Sequence, residues 1–215
     1  MTNNMKFVIE PKTNTNPPKK IVLTGGPGVG KTSVLRYLSD LNYSVREEVF
    51  TKIFNKALEE NRFNDDFLRS KELVHKLTLA QLELETQPTQ NECLFLDRSL
   101  IDIWGFAKNM SIEVNFRDEK KLTTAKYDFV FILDPLPKHH YDQNTIRRQT
   151  FEESLKHHHS VLNRYKEFLK LTDQVSTPLV QVPFIELGSP STVKERTDFI
   201  LEKLAETFGH LLKKL

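Results

Sequence analysis

The chain has 215 residues, of which 38% are hydrophobic and 28% charged, a balance that suits one globular domain with an apolar core. Seven glycines and a single cysteine, Cys93, exclude a collagen-like chain and a disulfide-rich scaffold. The 31 basic residues against 29 acidic ones leave a net charge of +2, which argues against a dedicated nucleic-acid-binding protein.

Short apolar runs and helical periodicity divide the chain into alternating strands and helices. Residues 1–19, rich in Asn, Thr, Pro and Lys, are expected to form a flexible leader before one domain over residues 20–215. Buried strands are predicted at residues 21–24, 93–96 and 127–133, and two further strands at residues 43–46 and 179–182. Helices are predicted at residues 34–41, 49–60, 64–87, 100–108 and 151–169, and from Ser189 onward. This alternation predicts a three-layer α/β fold, in which helices cover both faces of a mainly parallel five-stranded sheet.

A glycine-rich loop joins the first predicted strand to the first predicted helix. Its sequence, GGPGVGKT over residues 25–32, matches the phosphate-binding pattern GxxxxGK[ST] in full. Successive backbone N–H groups of such a loop bind phosphate oxygens, and the following helix adds the positive end of its dipole. Lys31 is predicted to reach the β- and γ-phosphates, and the Thr32 hydroxyl to bind Mg²⁺. The loop therefore predicts a nucleoside triphosphate site, for ATP or alternatively GTP.

A second polar group, Asp97 with Arg98, follows the third predicted strand. Ligands of parallel sheets bind outside the carboxyl ends of the strands, so both side chains are expected near the phosphate loop. The carboxylate of Asp97 is suited to hold Mg²⁺ or to accept a proton from an attacking hydroxyl, and Arg98 to stabilise charge on the transferred group. A surface ion pair at a helix start is the alternative interpretation, and Asp134, after the fourth strand, is a second candidate carboxylate.

A polar segment near residues 138–152 is predicted to act as a lid, because it carries Arg147 and Arg148. Phosphotransferases close arginine-bearing flaps over phosphates, which excludes water and neutralises the transition state. Adjacent helical residues point in different directions, so one arginine of the two is expected to face inward. A solvated basic face is the alternative.

Four further residues are weaker candidates for a substrate pocket. Glu47 and Glu48 follow the second predicted strand on the ligand side, and one of them, with Glu48 preferred, is suited to bind a sugar hydroxyl or a base, although helix-start electrostatics explains both nearly as well. Trp104 and Phe106 follow the Asp-Arg-Ser turn; core packing is favoured for both, with one of them as a pocket wall in the alternative.

The histidine runs at residues 139–140 and 157–159 do not predict a metal site. Consecutive helical residues diverge around the helix, and no cysteine or acidic partner has zinc-site spacing. His158 lies on the apolar stripe of its helix and is predicted to pack, and Cys93, inside a buried strand, is predicted to be unreactive.

Five segments occur in one order along the chain: the glycine-rich loop, FLDRSLID at 95–102, YDFVFILDPLP at 127–137, IRR at 146–148 and the closing helix. Together they resemble the NadR-type AAA ATPase/kinase family over approximately residues 20–212. The resemblance implies a P-loop fold similar to nucleoside and nucleotide kinases. Some members of that family phosphorylate ribosylnicotinamide, and others are GTP- and lipid-binding trafficking factors.

The resemblance also implies site residues. It implies catalytic or lid roles for Lys31, Asp97, Arg98, Arg147 and Arg148. It implies nucleotide contacts from Gly26, Pro27, Gly28, Val29, Gly30, Lys31, Thr32 and Ser33. It further places Val182 and Pro183, after the last strand, near the base of the nucleotide.

Two functions fit these patterns. The leading prediction is a Mg²⁺-dependent kinase that transfers the γ-phosphate of ATP to a hydroxyl of a nucleoside-like metabolite bound beside Glu48, Asp97 and Arg98. The alternative is a nucleotide-dependent switch, or a lipid- or protein-binding ATPase without a small-molecule acceptor, which the basic leader motivates. Nucleic-acid processing is disfavoured, because no basic stripe is interleaved with aromatic residues.

The sequence also bears on the compartment. No apolar run approaches the roughly 20 residues that a membrane-spanning helix needs, and the first 20 residues lack the apolar stretch of a signal peptide. A single cysteine is typical of a reducing compartment, so we expect a cytoplasmic protein without a transmembrane segment.

Overall fold

The computed structural model describes residues 17–89, 91–141, 150–184 and 192–209. Within them the strands are β1 (Lys19–Thr24), β2 (Ser44–Arg46), β3 (Cys93–Asp97), β4 (Phe129–Leu133) and β5 (Leu179–Val182). They form one parallel sheet in the order β2-β3-β1-β4-β5. The strand that carries the glycine-rich loop is therefore the central one, with the Asp97 strand beside it.

The helices lie in two layers, one on each face of the sheet. In the described part of the chain they are α1 (Lys31–Asp40), α2 (Val49–Glu59), α3 (Asp65–Leu68), α4 (Lys71–Thr86), α5 (Leu100–Asn109), α6 (Phe116–Thr123), α7 (Lys138–Tyr141), α8 (Phe151–Leu171) and α9 (Thr192–Phe208). None of them combines the length and the apolarity needed to cross a bilayer.

Alternate residues of the central strand face the two helical layers. Ile21 and Leu23 belong to an apolar cluster with residues of α1 and α9, whereas Val22 belongs to a second cluster with residues of α4, α5 and α8. Such two-sided burial is characteristic of a parallel sheet, and it explains the continuous apolar runs in the sequence. The predicted three-layer fold with a five-stranded parallel sheet is confirmed.

The single helix predicted over residues 64–87 is wrong, because the chain forms α3 and α4 there. Asn64 caps α3 by accepting from the N–H of Phe67 at 2.8 Å, as the sequence suggested. The backbone then extends at Ser70, whose hydroxyl accepts from the N–H of Leu73 at 3.1 Å and starts α4. A second capping residue inside one periodic stretch therefore divides the predicted helix.

Two further short helices were not expected. Helix α6 is short and highly charged, and Asn115 caps it by accepting from the N–H of Asp118 at 3.0 Å. Helix α7 occupies the first residues of the predicted lid. Neither segment has the apolar periodicity that marks the longer helices in the sequence.

Helices α5 and α8 both begin with a capping box, which fixes their starts. The Ser99 hydroxyl and the Asp102 carboxylate cap α5, and Thr150 with Glu153 does the same for α8. The predicted cap at Ser99 is confirmed. Helix α5 follows directly after β3, and Ser154 in the first turn of α8 contacts Pro27, so both helices start near the glycine-rich loop.

Candidate active site

The glycine-rich loop curls at the carboxyl end of β1 through three glycines. Gly25, Gly28 and Gly30 have φ angles of 136°, 82° and 87°, a region that residues with a Cβ rarely adopt. A Cβ at Gly25 would also lie 2.9 Å from the carbonyl oxygen of Leu133. The backbone path of the loop therefore depends on glycine, as the phosphate-binding pattern predicts.

Contacts from α8 and α9 hold this loop in place. Ser154 donates from Oγ to the carbonyl of Pro27 at 2.6 Å, and a Cβ on Gly26 would lie 3.0 Å from the Cβ of His158. Arg196 donates to the carbonyl of Val29 at 2.6 Å and to that of Asp134 at 2.8 Å. The Val29 side chain is buried, so this residue offers a nucleotide only its backbone.

Lys31 is buried at the base of the loop. Its Nζ donates to the carbonyl oxygens of Gly26 at 3.0 Å and Gly25 at 3.3 Å. Burial, followed by the charge of Arg98, lowers the pKa of Lys31 to about 8, against the opposing effect of Asp97. In the free protein the Lys31 ammonium thus has, among the described residues, only neutral carbonyl oxygens as hydrogen-bond partners, and a phosphate group would give it a charged partner.

Asp97 ends β3 in register with Leu23 of β1 and is largely buried. Its Oδ1 has no hydrogen-bond partner among the described residues. Burial raises the pKa of Asp97 to about 6, more than Lys31 and Arg98 lower it. A buried carboxylate oxygen without a partner is costly in a fold, and this one lies beside the phosphate loop.

This carboxylate provides a test of whether the site suits Mg²⁺. Hard oxygen ligands are what Mg²⁺ prefers, and it usually takes one or two protein groups together with phosphates and waters. The unpaired oxygen of Asp97 and the exposed Thr32 fit that pattern, and Ser33 beside it is also exposed. Thr32 and Asp97 would hold the ion, which would neutralise charge on the phosphates.

Arg98 lies at the centre of the site. It has a φ of 68°, and its N–H donates to the carbonyl of Leu23 at 3.0 Å. The largely buried guanidinium donates from Nε to Glu48 and from Nη1 to Asp102 and to the carbonyl of Gly25, both at 3.4 Å. Burial alone would lower the pKa of Arg98, but Glu48, Asp102 and Asp97 raise it above its ordinary value. Arg98 therefore touches both the loop and the acidic side chains around it.

Asp102 connects this arginine to the fold. Its Oδ1 accepts from Thr24 Oγ1 at 2.8 Å, and its Oδ2 accepts from the Tyr165 hydroxyl at 2.5 Å and from the Ser99 N–H at 2.9 Å. The end of β1, the start of α5 and the middle of α8 thus meet at one carboxylate. The sequence reasoning named only Ser99 as a cap and missed Asp102. The capping-box spacing of Ser99 and Asp102 is the signal that could have pointed to it, although its contacts across the fold were not predictable from that spacing.

A cavity of about 360 Å³ begins at Glu48 and Arg98 and runs between α2, α5 and α8. Its volume lies within the range of small-molecule sites. Its walls are mainly apolar and aromatic, with polar groups at both ends. The lining residues are Glu48, Phe50, Thr51, Phe54, Arg98, Ile101, Asp102, Gly105, Phe106, Asn109, His157, Val161, Arg164 and Tyr165.

Some of the weaker candidates line this cavity and others do not. Phe106 lines it, whereas Trp104 packs edge-on against Phe168 at 5.5 Å between ring centroids. His157 is on the cavity wall, and His158 is buried against the phosphate loop as predicted. Cys93 is buried, and burial raises the pKa of its thiol to about 11, which fits the predicted lack of reactivity.

The remaining predicted residues lie on the other side of the loop or outside the described part of the chain. Asp134 accepts from Gln181 at 3.2 Å and lies 3.9 Å from Nε2 of His158, so it links strand ends. Val182 is fully buried, and Pro183 beside it is half-buried, so a contact to a base would involve Pro183 or the backbone. Arg147 and Arg148 lie outside the described residues.

Comparison of the chain with known proteins identifies the family of the domain. A family model described as an AAA domain matches residues 20–192. The chain belongs to this AAA-domain family. The match covers the glycine-rich loop, the Asp97–Arg98 turn and helices α1 to α8 of the domain. No curated protein sequence matches the chain significantly.

Solved structures share the fold of this AAA domain. A NadR protein in complex with NR superposes with a TM-score of 0.63 at 18% identity, over 93% of this chain and 53% of that one. NadR with NAD and AMP-PNP gives 0.60 at 17% identity, over 93% and 52%. Thymidylate kinase from Candida albicans gives 0.53 at 17% identity, over 90% and 94%. The chain spans about half the length of the NadR chains, and at this identity it shares their fold. The expected resemblance to the NadR-type family is supported by the AAA-domain match and by this shared fold.

Nucleotide binding at pH 8 is expected to take up protons. Since the pKa of Lys31 is about 8 in the free protein, about half of these side chains are uncharged at that pH. Phosphate oxygens favour the ammonium form, so ATP binding should draw about half a proton per site from the buffer. Titration calorimetry in two buffers of different ionisation enthalpy measures this uptake. A Lys31→Arg variant, whose guanidinium is always charged, is the control, and equal heats in both buffers for the original protein would contradict the expectation.

Replacing Asp97 by Asn should stabilise the free protein at neutral pH. The pKa of Asp97 is about 6 in the fold against an ordinary 3.8, so the native state binds more protons between these values and stability falls as pH rises through them. We expect Asp97→Asn to add about 1–3 kcal/mol at pH 7.5, or about 2–4 °C in Tm per kcal/mol, and the gain to shrink toward pH 5. Thermal unfolding across pH checks this, with the exposed Asp66→Asn as the matched control. A loss of stability at pH 7.5 would refute it.

Proposed function

We propose that the protein is a Mg²⁺-dependent kinase that transfers the γ-phosphoryl group of ATP to a hydroxyl of a small, nucleoside-like acceptor. The observation that carries this proposal is the position of the cavity. Arg98 lines the cavity and also donates to the Gly25 carbonyl of the phosphate loop, so an acceptor in the cavity would lie next to the terminal phosphate. A nucleotide switch without an acceptor has no need for a cavity at this place.

The walls of the cavity favour a flat ring on the acceptor. Phe50 meets both Phe54 and Phe106 edge to face, with ring centroids 5.9 and 5.7 Å apart. Aromatic walls of this kind bury a planar apolar group and leave its polar edge to groups at the ends of the cavity. The shared fold with NadR bound to NR, with NadR bound to AMP-PNP and with a thymidylate kinase supports ATP and a nucleoside-like acceptor.

In this proposal the acceptor hydroxyl oxygen attacks the γ-phosphorus of ATP, the bond to the β-phosphate oxygen breaks, and ADP leaves. The hydroxyl proton passes to Glu48. This carboxylate lines the cavity, and although burial alone would raise its pKa, Arg98 and Lys31 lower it, so Glu48 is ionised at neutral pH. Asp97 does not line the cavity, and we assign it to Mg²⁺ together with Thr32 rather than to the acceptor.

Charged side chains then position and neutralise the phosphoryl group. Lys31 would bind the β- and γ-phosphates, and Arg98 would stabilise charge on the transferring group from the acceptor side. Arg147 and Arg148 remain the proposed lid arginines that close over the phosphates. Because the transition state of phosphoryl transfer is largely dissociative, even a carboxylate whose pKa is lowered, as that of Glu48 is, suffices to receive the proton late in the step.

In the same proposal the lid excludes water from the reacting phosphate. We also propose that the protein works in the reducing cytoplasm, which its single cysteine, Cys93, indicates. GTP in place of ATP, and a switch in place of a kinase, are the alternatives that the assay must separate.

Incubation with γ-labelled ATP, Mg²⁺ and a panel of nucleosides and other ribosides should label an acceptor. Glu48→Gln is expected to lower kcat by roughly 10²–10⁴-fold with little change in ATP affinity, since it removes the proton acceptor. The matched control is Glu47→Gln, because Glu47 is exposed and its only described ion pair, with Lys52, is 3.6 Å long at the surface. Slow ATP or GTP hydrolysis with no labelled acceptor across the panel would contradict the kinase and favour the switch.

A further inference from the structure

The outer end of the acceptor cavity carries a cation that the proposed chemistry does not use. Arg164 of α8 lines the cavity, as does Asn109 at the end of α5. Along α5 the cavity extends from Ile101 to Asn109, eight residues or about 12 Å at the rise of an α-helix. Arg164 therefore lies at the end of the cavity remote from Arg98, where the far edge of a bound ring would lie.

The helix opposite makes room for this side chain. Gly105 lies in the interior of α5, and a Cβ there would be 2.8 Å from Cδ of Arg164. A glycine inside a helix costs roughly 1 kcal/mol relative to alanine. Gly105 thus weakens α5, but it leaves space for the aliphatic part of the Arg164 side chain to cross the helix.

The guanidinium of Arg164 is only partly satisfied. Its Nη2 donates to Oδ1 of Asn109, whereas its Nε is buried with no hydrogen-bond partner among the described residues. The carboxylate of Glu167 acts on the charge of Arg164 but forms its own ion pair with Lys108. By contrast, the guanidinium of Arg98 at the other end is paired with Glu48 and Asp102. Within the described ranges, Arg164 is therefore the cavity-lining cation that forms no salt bridge.

We propose that Arg164, aligned by Gly105 and Asn109, is a specificity-determining residue that selects acceptors whose ring carries a carboxylate or carbonyl oxygen on the edge remote from the reacting hydroxyl. This assignment rests on the proposed acceptor site. A planar guanidinium binds such oxygens through its fork of N–H donors, and these charge-assisted bonds are stronger than neutral ones. A ring that bears an ammonium group on the same edge is disfavoured by the same cation.

Binding of five matched ribosides to the full chain, with AMP-PNP and Mg²⁺ present, tests this assignment. The probes are phenyl riboside and its 3- and 4-substituted carboxy and aminomethyl derivatives, which differ in one group. The original protein should bind the better carboxy derivative at least tenfold more tightly than phenyl riboside, and the aminomethyl derivatives more weakly. Arg164→Met should bring all of them within about threefold of one another.

Two further variants separate recognition from folding. Gly105→Ala keeps the charge but displaces the arginine stem, so it should also reduce the preference, while thermal unfolding shows that the domain is intact. Lys166→Met removes an exposed charge of the same helix that does not line the cavity, and it should preserve the order of affinities. The same order in Arg164→Met as in the original protein, or no binding of any riboside, would overturn the assignment.

Phosphoryl transfer to the bound probes, measured in parallel, keeps this inference distinct from the proposed function. Charge-dependent binding without any transfer would refute the kinase and leave the role of Arg164 in place. Transfer to all probes with no dependence on their charge would support the kinase and refute the role of Arg164.

Discussion

The geometry of the site depends on the contacts of the Arg98 guanidinium, which is largely but not fully buried. It joins the phosphate loop, through the Gly25 carbonyl, to the cavity wall, through Glu48 and Asp102. Loss of one partner from a fully buried ion pair typically costs about 3–5 kcal/mol. Arg98 and Glu48 are 15% and 25% exposed, so the cost here is smaller, but each member still constrains the others. The left-handed backbone at Arg98, held by the bond to Leu23, aims the side chain away from the sheet and between the two halves of the site.

Around this arginine the fold tolerates unfavourable electrostatics. Lys31 and Asp97 are both buried, and burial disfavours their charged forms: the pKa of Lys31 is lowered and that of Asp97 is raised. One oxygen of Asp97 also has no hydrogen-bond partner among the described residues. Uncompensated charges of this kind lower stability and are concentrated where ligands bind. The rest of the loop is held firmly by Ser154 and Arg196, so the strain is confined to groups that a nucleotide and its metal would satisfy.

Local patterns were sufficient to predict the frame of this molecule. The apolar runs predicted all five described strands, the glycine spacing predicted the loop, and Asp97 with Arg98 was predicted at the correct strand end. The contacts that complete the site were beyond sequence reasoning, because they join distant positions: Arg196 to Val29 spans 167 residues, and Tyr165 to Asp102 spans 63. A single arginine on an amphipathic helix has the same sequence pattern whether it faces solvent or a cavity, so Arg164 gave no signal.

A crystal structure of the protein with AMP-PNP, Mg²⁺ and an acceptor nucleoside is the decisive measurement. We expect the terminal phosphate and the acceptor hydroxyl both to lie within hydrogen-bond distance of the Arg98 guanidinium, with the acceptor ring between α2, α5 and α8. A terminal phosphate turned away from Arg98, or an acceptor bound outside that cavity, would contradict this expectation.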